Sequence, residues 1–319
     1  MTATSKVLSP ITGDSFCIIE EEFDSKEIID LYLTNLNIDV NRFFLNIPLI
    51  NIYRCQETGY RFYYPFEAVG DGLFYEQLQK RGQKYGSGYY REGTFDHKFS
   101  LEHIEEGDKV LEIGCGEGVY MKLLADQKNI ISTGLELNNY TIKKCINEGL
   151  DVYNMLIEDF AVTAKSSFDK VCTFQVLEHV YSIKSFIESS LKVLKKGGLL
   201  IISVPNCEPY RMRHDKFSTL NLPPHHMGLW NKEIFQNLVK IFPIEIIEVK
   251  YSKPQSIRGD AYFRMKRWLN IKSLSFENQT FVEKIKMILL LPLAIFFAIF
   301  DKFNGDINGG QICVVFKKK

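Results

Sequence analysis

The chain has 319 residues, which is enough for one large domain or two modest ones. Hydrophobic residues make up 45% and charged residues 24% of the sequence, a composition that excludes disordered and fibrous proteins. Basic and acidic residues both number 39, so the net charge of zero excludes the strongly basic surface expected of a nucleic-acid-binding protein. We therefore expect no nucleic-acid partner.

The compartment is indicated by the cysteines and by the N-terminus. The seven cysteines are odd in number and widely spaced, which favours free thiols over a disulfide framework. Residues 1–16 are polar and lack the apolar core of a signal peptide. These features predict a cytoplasmic protein.

The predicted elements fall into three parts along the chain. Residues 1–65 are predicted to be irregular apart from short strands at 16–20 and 51–54. From residue 108, short apolar strands alternate with helices, which is the pattern of a mostly parallel sheet covered on both faces. The predicted strands are 109–113, 130–136, 151–155, 170–174, 199–204 and 244–251, and the predicted helices are 119–127, 140–149, 183–194 and 232–241.

A last strand at 311–316 is predicted to pair antiparallel with strand 244–251. Residues 252–309 then form a helical insertion, which begins at the ligand-binding edge of the sheet because ligands bind at the carboxyl ends of parallel strands.

The strongest chemical signal is the glycine-rich segment that follows the first strand of the alternating region. Residues 110–118 read V-L-E-I-G-C-G-E-G and lead into a helix. Glycines allow the backbone to turn sharply and a ligand to approach closely. Glu136 ends the next strand, where a carboxylate can accept hydrogen bonds from both hydroxyls of a ribose.

These segments, with F-D-K-V-C-T-F-Q-V-L-E-H at 168–179 and L-K-K-G-G-L-L-I-I-S-V-P at 194–205, resemble the class I S-adenosylmethionine-dependent methyltransferases. The resemblance covers residues 85–251 and the last strand. It implies an α/β fold with a seven-stranded, doubly wound, Rossmann-like sheet and S-adenosyl-L-methionine as the cofactor. A dinucleotide-binding dehydrogenase is the rival class, but it would carry a glycine at the position of Val119.

The resemblance also implies where the cofactor binds. The glycine loop would hold the methionine part, the acid after the second strand the ribose, the turn after the third strand the adenine, and the end of the fourth strand the methionine amino group. The implied contacts are Glu112, Gly114, Gly116, Gly118, Glu136, Leu137, Ile157, Glu158 and Gln175.

Catalysis of methyl transfer depends mainly on alignment, and a hydroxyl acceptor also needs a general base, a role that histidine suits. The loop at 222–230 reads L-P-P-H-H-M-G-L-W, and similar loops occur in a branch of the family linked to sugars and cell-surface polysaccharides. His225, His226 and His179 are the candidate catalytic residues. The alternative is that His225 and His226 cap the following helix or satisfy buried backbone groups.

Two metal sites of the wider family are predicted to be absent. Quinone- and RNA-methylating relatives bind magnesium through Glu-x-x-Glu-His, but here Gln175 replaces the first carboxylate, and an amide is a poorer ligand for magnesium. Glu178 and His179 would line the pocket instead. Members of the branch also begin with a zinc ribbon, whose four ligand positions here hold one thiol, in Ser9, Thr12, Cys55 and Thr58. A structural zinc site needs four ligands, so we predict no metal.

The insertion carries a separate signal. Eight basic and three acidic residues lie between Tyr251 and Leu290, with Trp268 among them, and an apolar run follows at 287–300. That run is shorter than the roughly 20 residues that span a bilayer. The pattern favours peripheral membrane contact through 253–303 by a helix in the membrane interface. A helix covering the sheet edge and a dimer contact are the alternatives, and the oligomeric state stays open.

The predicted domains are a degenerate zinc-ribbon-like segment at 1–65, a methyltransferase domain at 66–251 plus 310–319, and the helical insertion at 252–309. The predicted function is O-methylation of a sugar or cell-surface glycan, which can be lipid-linked, by a cytoplasmic enzyme that can associate with a membrane. The alternatives are a methyltransferase acting on a quinone or phenolic small molecule, and a non-catalytic module that binds the cofactor.

Overall fold

The computed structural model describes residues 7–13, 16–84, 93–208, 218–254, 256–272, 279–303 and 308–319. Its strands are, in chain order, β1 Cys17–Asp24, β2 Leu49–Cys55, β3 Arg61–Tyr64, β4 Val110–Ile113, β5 Thr133–Leu135, β6 Asp151–Tyr153, β7 Phe168–Phe174, β8 Leu194–Pro205, β9 Gly228–Leu229, β10 Ile244–Tyr251 and β11 Gln311–Lys318. Its helices are α1 Ser25–Leu36, α2 Gly72–Lys84, α3 Phe95–Leu101, α4 Val119–Lys128, α5 Asn139–Asn147, α6 Ile157–Thr163, α7 Ile183–Val193, α8 Lys232–Leu238, α9 Ile257–Trp268 and α10 Phe281–Phe303. The start of the family resemblance, 85–92, lies outside the described residues.

The large sheet has seven strands in the order β10-β11-β8-β7-β4-β5-β6. The five strands from β8 to β6 are parallel, and β11 joins antiparallel to both β8 and β10. All four residues of β4 are buried, as expected for a central strand covered by helices on both faces. The predicted fold class is confirmed, including the antiparallel last strand and the order of the central strands along the chain.

The N-terminal region is more regular than the sequence predicts. Strands β1, β2, β3 and β9 form a second, four-stranded antiparallel sheet, and α1 packs beside it. Helix α1 begins at the cap Asp24, whose side chain accepts from the Lys26 N–H at 2.8 Å, and it ends at Asn37 in the left-handed conformation. The prediction that residues 1–65 are mostly irregular is therefore wrong. Asp24 and Asn37 are the residues in the sequence that mark the two ends of α1.

The two sheets are joined by the loop that contains the paired histidines. Strand β9 follows that loop directly and pairs with β3, so the N-terminal sheet includes two residues from late in the chain. Three further contacts fasten the loop. The Tyr63 N–H donates to the Met227 carbonyl at 2.9 Å, the Tyr32 hydroxyl donates to the Leu222 carbonyl at 2.9 Å, and the Gly70 N–H donates to the Pro224 carbonyl at 2.9 Å.

The insertion between β10 and β11 is helical, as predicted. Helices α9 and α10 pack through Ala261, Met265, Met287, Ala294 and Ala298. Helix α10 continues through Pro292 and is 23 residues long. Among the described residues, none of the helices combines the length and the apolarity that crossing a bilayer requires.

Candidate active site

The glycine loop lies between β4 and α4, at the carboxyl edge of the sheet. Gly114, Gly116 and Gly118 have φ values of +76°, +53° and +69°, a region that favours glycine. A Cβ on Gly114 would lie 2.4 Å from Cγ2 of Val176, and a Cβ on Gly118 would lie 2.2 Å from Cδ1 of Leu150. Conformation therefore favours glycine at all three positions, and space requires it at Gly114 and Gly118.

Glu136 follows β5 directly and lies against this loop. Its Oε2 accepts a hydrogen bond from the Gly116 N–H at 2.9 Å. Its Oε1 accepts from the backbone N–H groups of Leu137 at 2.7 Å and Asn138 at 2.9 Å. These backbone donors hold the carboxylate at the loop, which is the position in which an acid can accept from ribose hydroxyls.

Glu112 lies inside β4 and is buried. Burial, followed by the charge of Glu136, raises the pKa of its carboxyl well above the usual range, which favours the protonated side chain. Its Oε2 is buried and has no hydrogen-bond partner among the described residues. Its part in cofactor binding remains a prediction, since the side chain is enclosed beneath the loop.

Two residues that the sequence did not single out brace the glycine loop. The Gln79 amide, on α2, donates to Oε1 of Glu117 at 3.0 Å. The Asn138 amide donates in turn to Oε1 of Gln79 at 3.3 Å. Glu117 also forms an ion pair with Lys144 of α5. Helix α2 therefore lies next to the cofactor loop, a placement that no local pattern in the sequence indicates.

The remaining predicted cofactor contacts are divided between surface and core. Leu137 is exposed beside Glu136, as an adenine-facing or ribose-facing residue would be. Ile157, the first residue of α6, is buried in the main core, and Glu158 accepts from the Ser185 hydroxyl at 2.8 Å. Gln175 directly follows β7 with φ +56°, and its amide donates to the Ser203 hydroxyl at 3.2 Å. The roles of these residues toward the cofactor remain predictions.

The structure brings His179, His225 and His226 together. Their ring centroids are 4.7 Å apart for His179 and His225, 5.0 Å for His179 and His226, and 4.5 Å for His225 and His226. The alternative that the paired histidines satisfy buried backbone groups holds for His225, because its Nδ1 lies 2.8 Å from the Leu220 carbonyl. The helix-capping alternative is not realised, since the cap of α8 is Asn231.

This histidine cluster is adjacent to the glycine loop. His179 closes a turn by donating its N–H to the Val176 carbonyl at 2.9 Å, and Val176 is the residue that packs against Gly114. Tyr75, one helical turn before Gln79 on α2, donates its hydroxyl to the His225 carbonyl at 3.2 Å. Helix α2 thus contacts both the cofactor loop and the histidine cluster, and sequence reasoning did not find Tyr75.

The electrostatics of the cluster follow from its burial. Burial lowers the pKa of His179 to about 4. Burial, with a further effect of His179, lowers the pKa of His225 to about 3, and burial with the two other rings lowers the pKa of His226 well below its usual value. Burial raises the pKa of Glu178 to about 8. All three imidazoles are therefore neutral at pH 7 and offer lone pairs.

The turns at residues 9–13 and 55–59, which correspond to the two halves of the lost zinc ribbon, keep the shape of metal-binding turns but lack the ligands. The N–H of Gly13 donates to the Ser9 carbonyl at 2.8 Å, and the N–H of Gly59 donates to the Cys55 carbonyl at 2.9 Å. The Ser9 hydroxyl accepts from the Ile11 N–H at 3.3 Å, and the Cys55 sulfur accepts from the Thr58 N–H at 3.4 Å. Hydroxyls occupy three of the four positions at which thiolates would be needed, so this donor set does not fit zinc.

The seven-stranded sheet, the glycine loop and the acid after β5 have the arrangement seen in class I S-adenosylmethionine-dependent methyltransferases. The family model described as methionine biosynthesis protein MetW matches residues 94–231. A solved structure, the cyclase SpnF, superposes with a TM-score of 0.50 at 13% identity and covers 78% of this chain and 97% of that one. That likeness concerns the fold.

Two curated relatives agree with this class. The ubiquinone biosynthesis O-methyltransferase of Psychrobacter arcticus is 28% identical over 122 residues, which are 36% of this chain and 47% of the relative. A probable S-adenosylmethionine-dependent methyltransferase of Mycolicibacterium smegmatis is 32% identical over 108 residues, which are 33% of this chain and 41% of the relative. The chain spans less than half the length of these relatives.

Proposed function

We propose that this chain transfers a methyl group from S-adenosyl-L-methionine to a hydroxyl of a small-molecule acceptor of the phenolic or quinone-derived type. The observation that carries the proposal is the arrangement at the loop, where the Gly116 N–H and the Glu136 carboxylate lie 2.9 Å apart beside glycines that have no room for a side chain. Relatives named ubiquinone biosynthesis O-methyltransferase support a phenolic acceptor over the glycan.

Aromatic side chains beside the histidine cluster support a ring-shaped acceptor. Tyr181, two residues after His179, stacks on Phe66 with a centroid distance of 5.5 Å and remains half exposed. Tyr75 meets the His179 ring edge-on at 5.4 Å. Aromatic pairs of this kind stabilise a bound phenol by stacking or edge contacts, typically by about 0.5–1.5 kcal/mol each.

The reaction needs alignment more than chemistry from the protein, because the sulfonium methyl is already electrophilic. The acceptor oxygen bonds to the methyl carbon while the carbon–sulfur bond breaks, and its electron pair stays on sulfur. The hydroxyl proton must leave as well. His179, His225 and His226 are the groups proposed to bind that hydroxyl or receive its proton, since they lie next to the loop that holds the cofactor.

A lipid-linked sugar or glycan is the second candidate acceptor, and one observation supports a lipid-borne acceptor of either class. Helix α10 exposes a long row of large apolar side chains, including Leu289, Phe296 and Phe303. The Trp268 ring meets Phe297 of that helix at 6.1 Å and is itself partly exposed. A surface of this kind fits insertion into the interface of a membrane. A membrane contact would serve a lipid-soluble quinone precursor equally well.

The surface charge of the insertion is smaller than the sequence suggests. Arg264 and Lys266 are buried, Arg264 forms an ion pair with Asp301, and Lys272 forms an ion pair with Glu27 of α1. The exposed bases are therefore fewer than the eight in the sequence, and the apolar row becomes the main support for membrane contact.

The test is incubation of the full-length chain with methyl-labelled S-adenosyl-L-methionine and a panel of acceptors. The panel contains catechols and prenylated phenols on one side and lipid-linked oligosaccharides on the other. We expect label in the phenol fraction, whereas label in the oligosaccharide fraction would select the second candidate. Cofactor binding by calorimetry without transfer to any acceptor would favour a non-catalytic binding module and would contradict the proposal.

A further inference from the structure

The histidine cluster has the arrangement of a metal-ligand set. His179 comes from the turn after β7, and His225 and His226 come from the loop before β9. One ring nitrogen of each histidine lies within 4.8 Å of the other two. His225 and His226 are each only 7% exposed, so the site is shielded from solvent.

The orientation of two of the rings is a second, independent observation. Nδ1 of His179 lies 2.5 Å from the His225 carbonyl, and Nδ1 of His225 lies 2.8 Å from the Leu220 carbonyl. A carbonyl can only accept, so in both rings Nδ1 carries the proton and Nε2 carries the lone pair. Histidines that bind metals almost always donate their other ring N–H in this way.

The lone pair of His225 is left without a partner among the described residues. Nε2 of His225 is buried and has no hydrogen-bond partner among the described residues. Beside His179, Glu178 is 1% exposed, its Oε1 lies 3.8 Å from Nε2 of His179, and its Oε2 has no hydrogen-bond partner in the described part of the chain. Buried polar atoms without partners are costly, and a cation among them would remove that cost.

We propose that His179, His225 and His226 bind one divalent transition-metal ion of the zinc type, with an open coordination position for the acceptor. Three imidazoles and one open position form the donor set of catalytic zinc sites. Nitrogens bound to one ion at about 2.1 Å lie roughly 3.4 Å apart, so the rings need only a small rotation inward. Imidazole also suits cobalt, nickel and iron, whereas magnesium prefers oxygen ligands.

This donor set differs from the Glu-x-x-Glu-His arrangement on which the metal-free expectation was based. That expectation followed from Gln175 standing in place of a carboxylate, and Gln175 is not a ligand here. The three nitrogens come instead from His179 and from the paired histidines after the two prolines, which only the folded chain brings together.

The role of the ion rests on the proposed methyl transfer. The ion would take the acceptor hydroxyl oxygen in its open position and lower the pKa of that hydroxyl. With the histidines engaged as ligands, the hydroxyl proton would pass to water and not to a ring nitrogen, the oxygen would bond to the methyl carbon, and the carbon–sulfur electron pair would stay on sulfur as the thioether forms. The binding site itself stands independently of that reaction.

The site is tested on full-length, untagged protein that has been stripped with a chelator. We expect calorimetric titration with Co²⁺ to give one ion per chain, with the intense visible absorption of a four-coordinate Co²⁺–imidazole site. Zn²⁺ should displace the Co²⁺, and Mg²⁺ should not. His179→Ala, His225→Ala and His226→Ala should each weaken Co²⁺ binding by more than about 100-fold. His103→Ala, outside the cluster, is the matched control and should bind Co²⁺ as the wild type does.

The proposal is overturned if the stripped wild type binds no Co²⁺, or if the three variants bind Co²⁺ as tightly as the control. Circular dichroism and S-adenosyl-L-methionine binding check that each variant folds. A second measurement needs no variant, because Zn²⁺ at 100 times its dissociation constant should stabilise the wild type by about 2.7 kcal/mol. Metal binding without methyl transfer would count against the proposed function alone, and methyl transfer by metal-free protein would count against the role of the ion.

Discussion

The carboxylate of Glu136 and the backbone N–H of Gly116 are joined by a hydrogen bond of 2.9 Å across the edge of the central sheet. The two residues come from neighbouring parallel strands, β4 and β5, which end at the same edge. Glu136 is held by three backbone donors, so its position does not depend on a bound ligand. The carboxylate predicted to bind the ribose is therefore preorganised.

The first prediction concerns this carboxylate. Glu136→Ala should weaken S-adenosyl-L-methionine binding by about 1–3 kcal/mol, because the ribose hydroxyls lose their acceptor. Calorimetric titration measures the effect, with Glu106→Ala on the surface as the control. Unchanged affinity in a folded Glu136→Ala variant would contradict the ribose assignment.

The parts of this site that could be predicted from the sequence are those with a local signature. The glycine loop, the acid after β5 and the alternation of strands and helices each depend on neighbouring residues, and the structure has them in the predicted order. Helix α2 was not predicted to contact the site, since Tyr75 and Gln79 contact residues that are 150 and 38 positions away in the chain. Such contacts leave no local pattern.

The N-terminal region shows a second limit. The sequence predicts a degenerate zinc-ribbon-like segment here, whereas the structure has helix α1 and three strands of the four-stranded sheet. In the structure this region supports the histidine loop, through the Tyr32 hydroxyl and through the pairing of Phe62 with Gly228. Support of that kind depends on three-dimensional packing, which one sequence does not reveal.

The second prediction concerns Glu112, whose pKa is raised well above its usual value by burial and by Glu136. The folded chain keeps this proton at pH values where the unfolded chain has lost it, so the free energy of unfolding falls as pH rises above the ordinary carboxyl value. The slope for one group is about 1.4 kcal/mol per pH unit. Glu112→Gln removes this pH dependence. The free energy of unfolding of the variant minus that of the wild type should therefore increase from pH 5 to pH 8.

Urea unfolding of both proteins at pH 5, 6.5 and 8 checks this result. Glu106→Gln, on the surface, should show no such trend. A constant difference between Glu112→Gln and wild type across the three pH values would mean that the carboxyl ionises normally in the folded chain.

The third prediction concerns the paired histidines. The substitution of His225 or His226 by Ala should lower turnover by roughly 10²–10⁴ if the residue binds or deprotonates the acceptor. S-adenosyl-L-methionine affinity should stay near the wild-type value, since the cofactor loop is built from other residues. Turnover with the acceptor identified by labelling and calorimetry with the cofactor measure the two effects. Full activity of the His225→Ala, His226→Ala double variant would show that the loop has only a structural role.

The fourth prediction separates the N-terminal turns from metal binding. Only Cys55 offers a thiol at the four ligand positions of the lost zinc ribbon, and its sulfur already accepts the Thr58 N–H at 3.4 Å. Cys55→Ser should therefore leave the zinc content of the purified protein unchanged in elemental analysis. Loss of one zinc per chain in this variant alone, with the histidines intact, would show that the turns hold a metal after all.

The last prediction is membrane contact through helix α10. Its outer face exposes Leu289 by 74%, Phe296 by 60% and Phe303 by 87%, and such large apolar residues on one surface mark an interaction site. The helix belongs to an insertion that touches α1, because the Asn35 amide donates to the Lys272 carbonyl at 3.4 Å. Helix α1 in turn holds the histidine loop through Tyr32. These contacts link the insertion to the histidine loop, and we predict that a lipid-soluble acceptor reaches the histidines from the bilayer.

We expect the full-length chain to float with vesicles of anionic lipid. Each exposed base near the surface contributes about 1 kcal/mol, and this part weakens with salt, whereas the burial of apolar side chains does not. Because Arg264 and Lys266 are buried, most of the binding should survive high salt. The double variant Leu289→Glu, Phe296→Glu should lose flotation and keep cofactor affinity. Ile131→Glu, at an equally exposed site outside the insertion, should float as the wild type does. If the wild type never floats, or if the double variant floats equally well, the apolar row of α10 contacts a protein and the route from the bilayer is wrong.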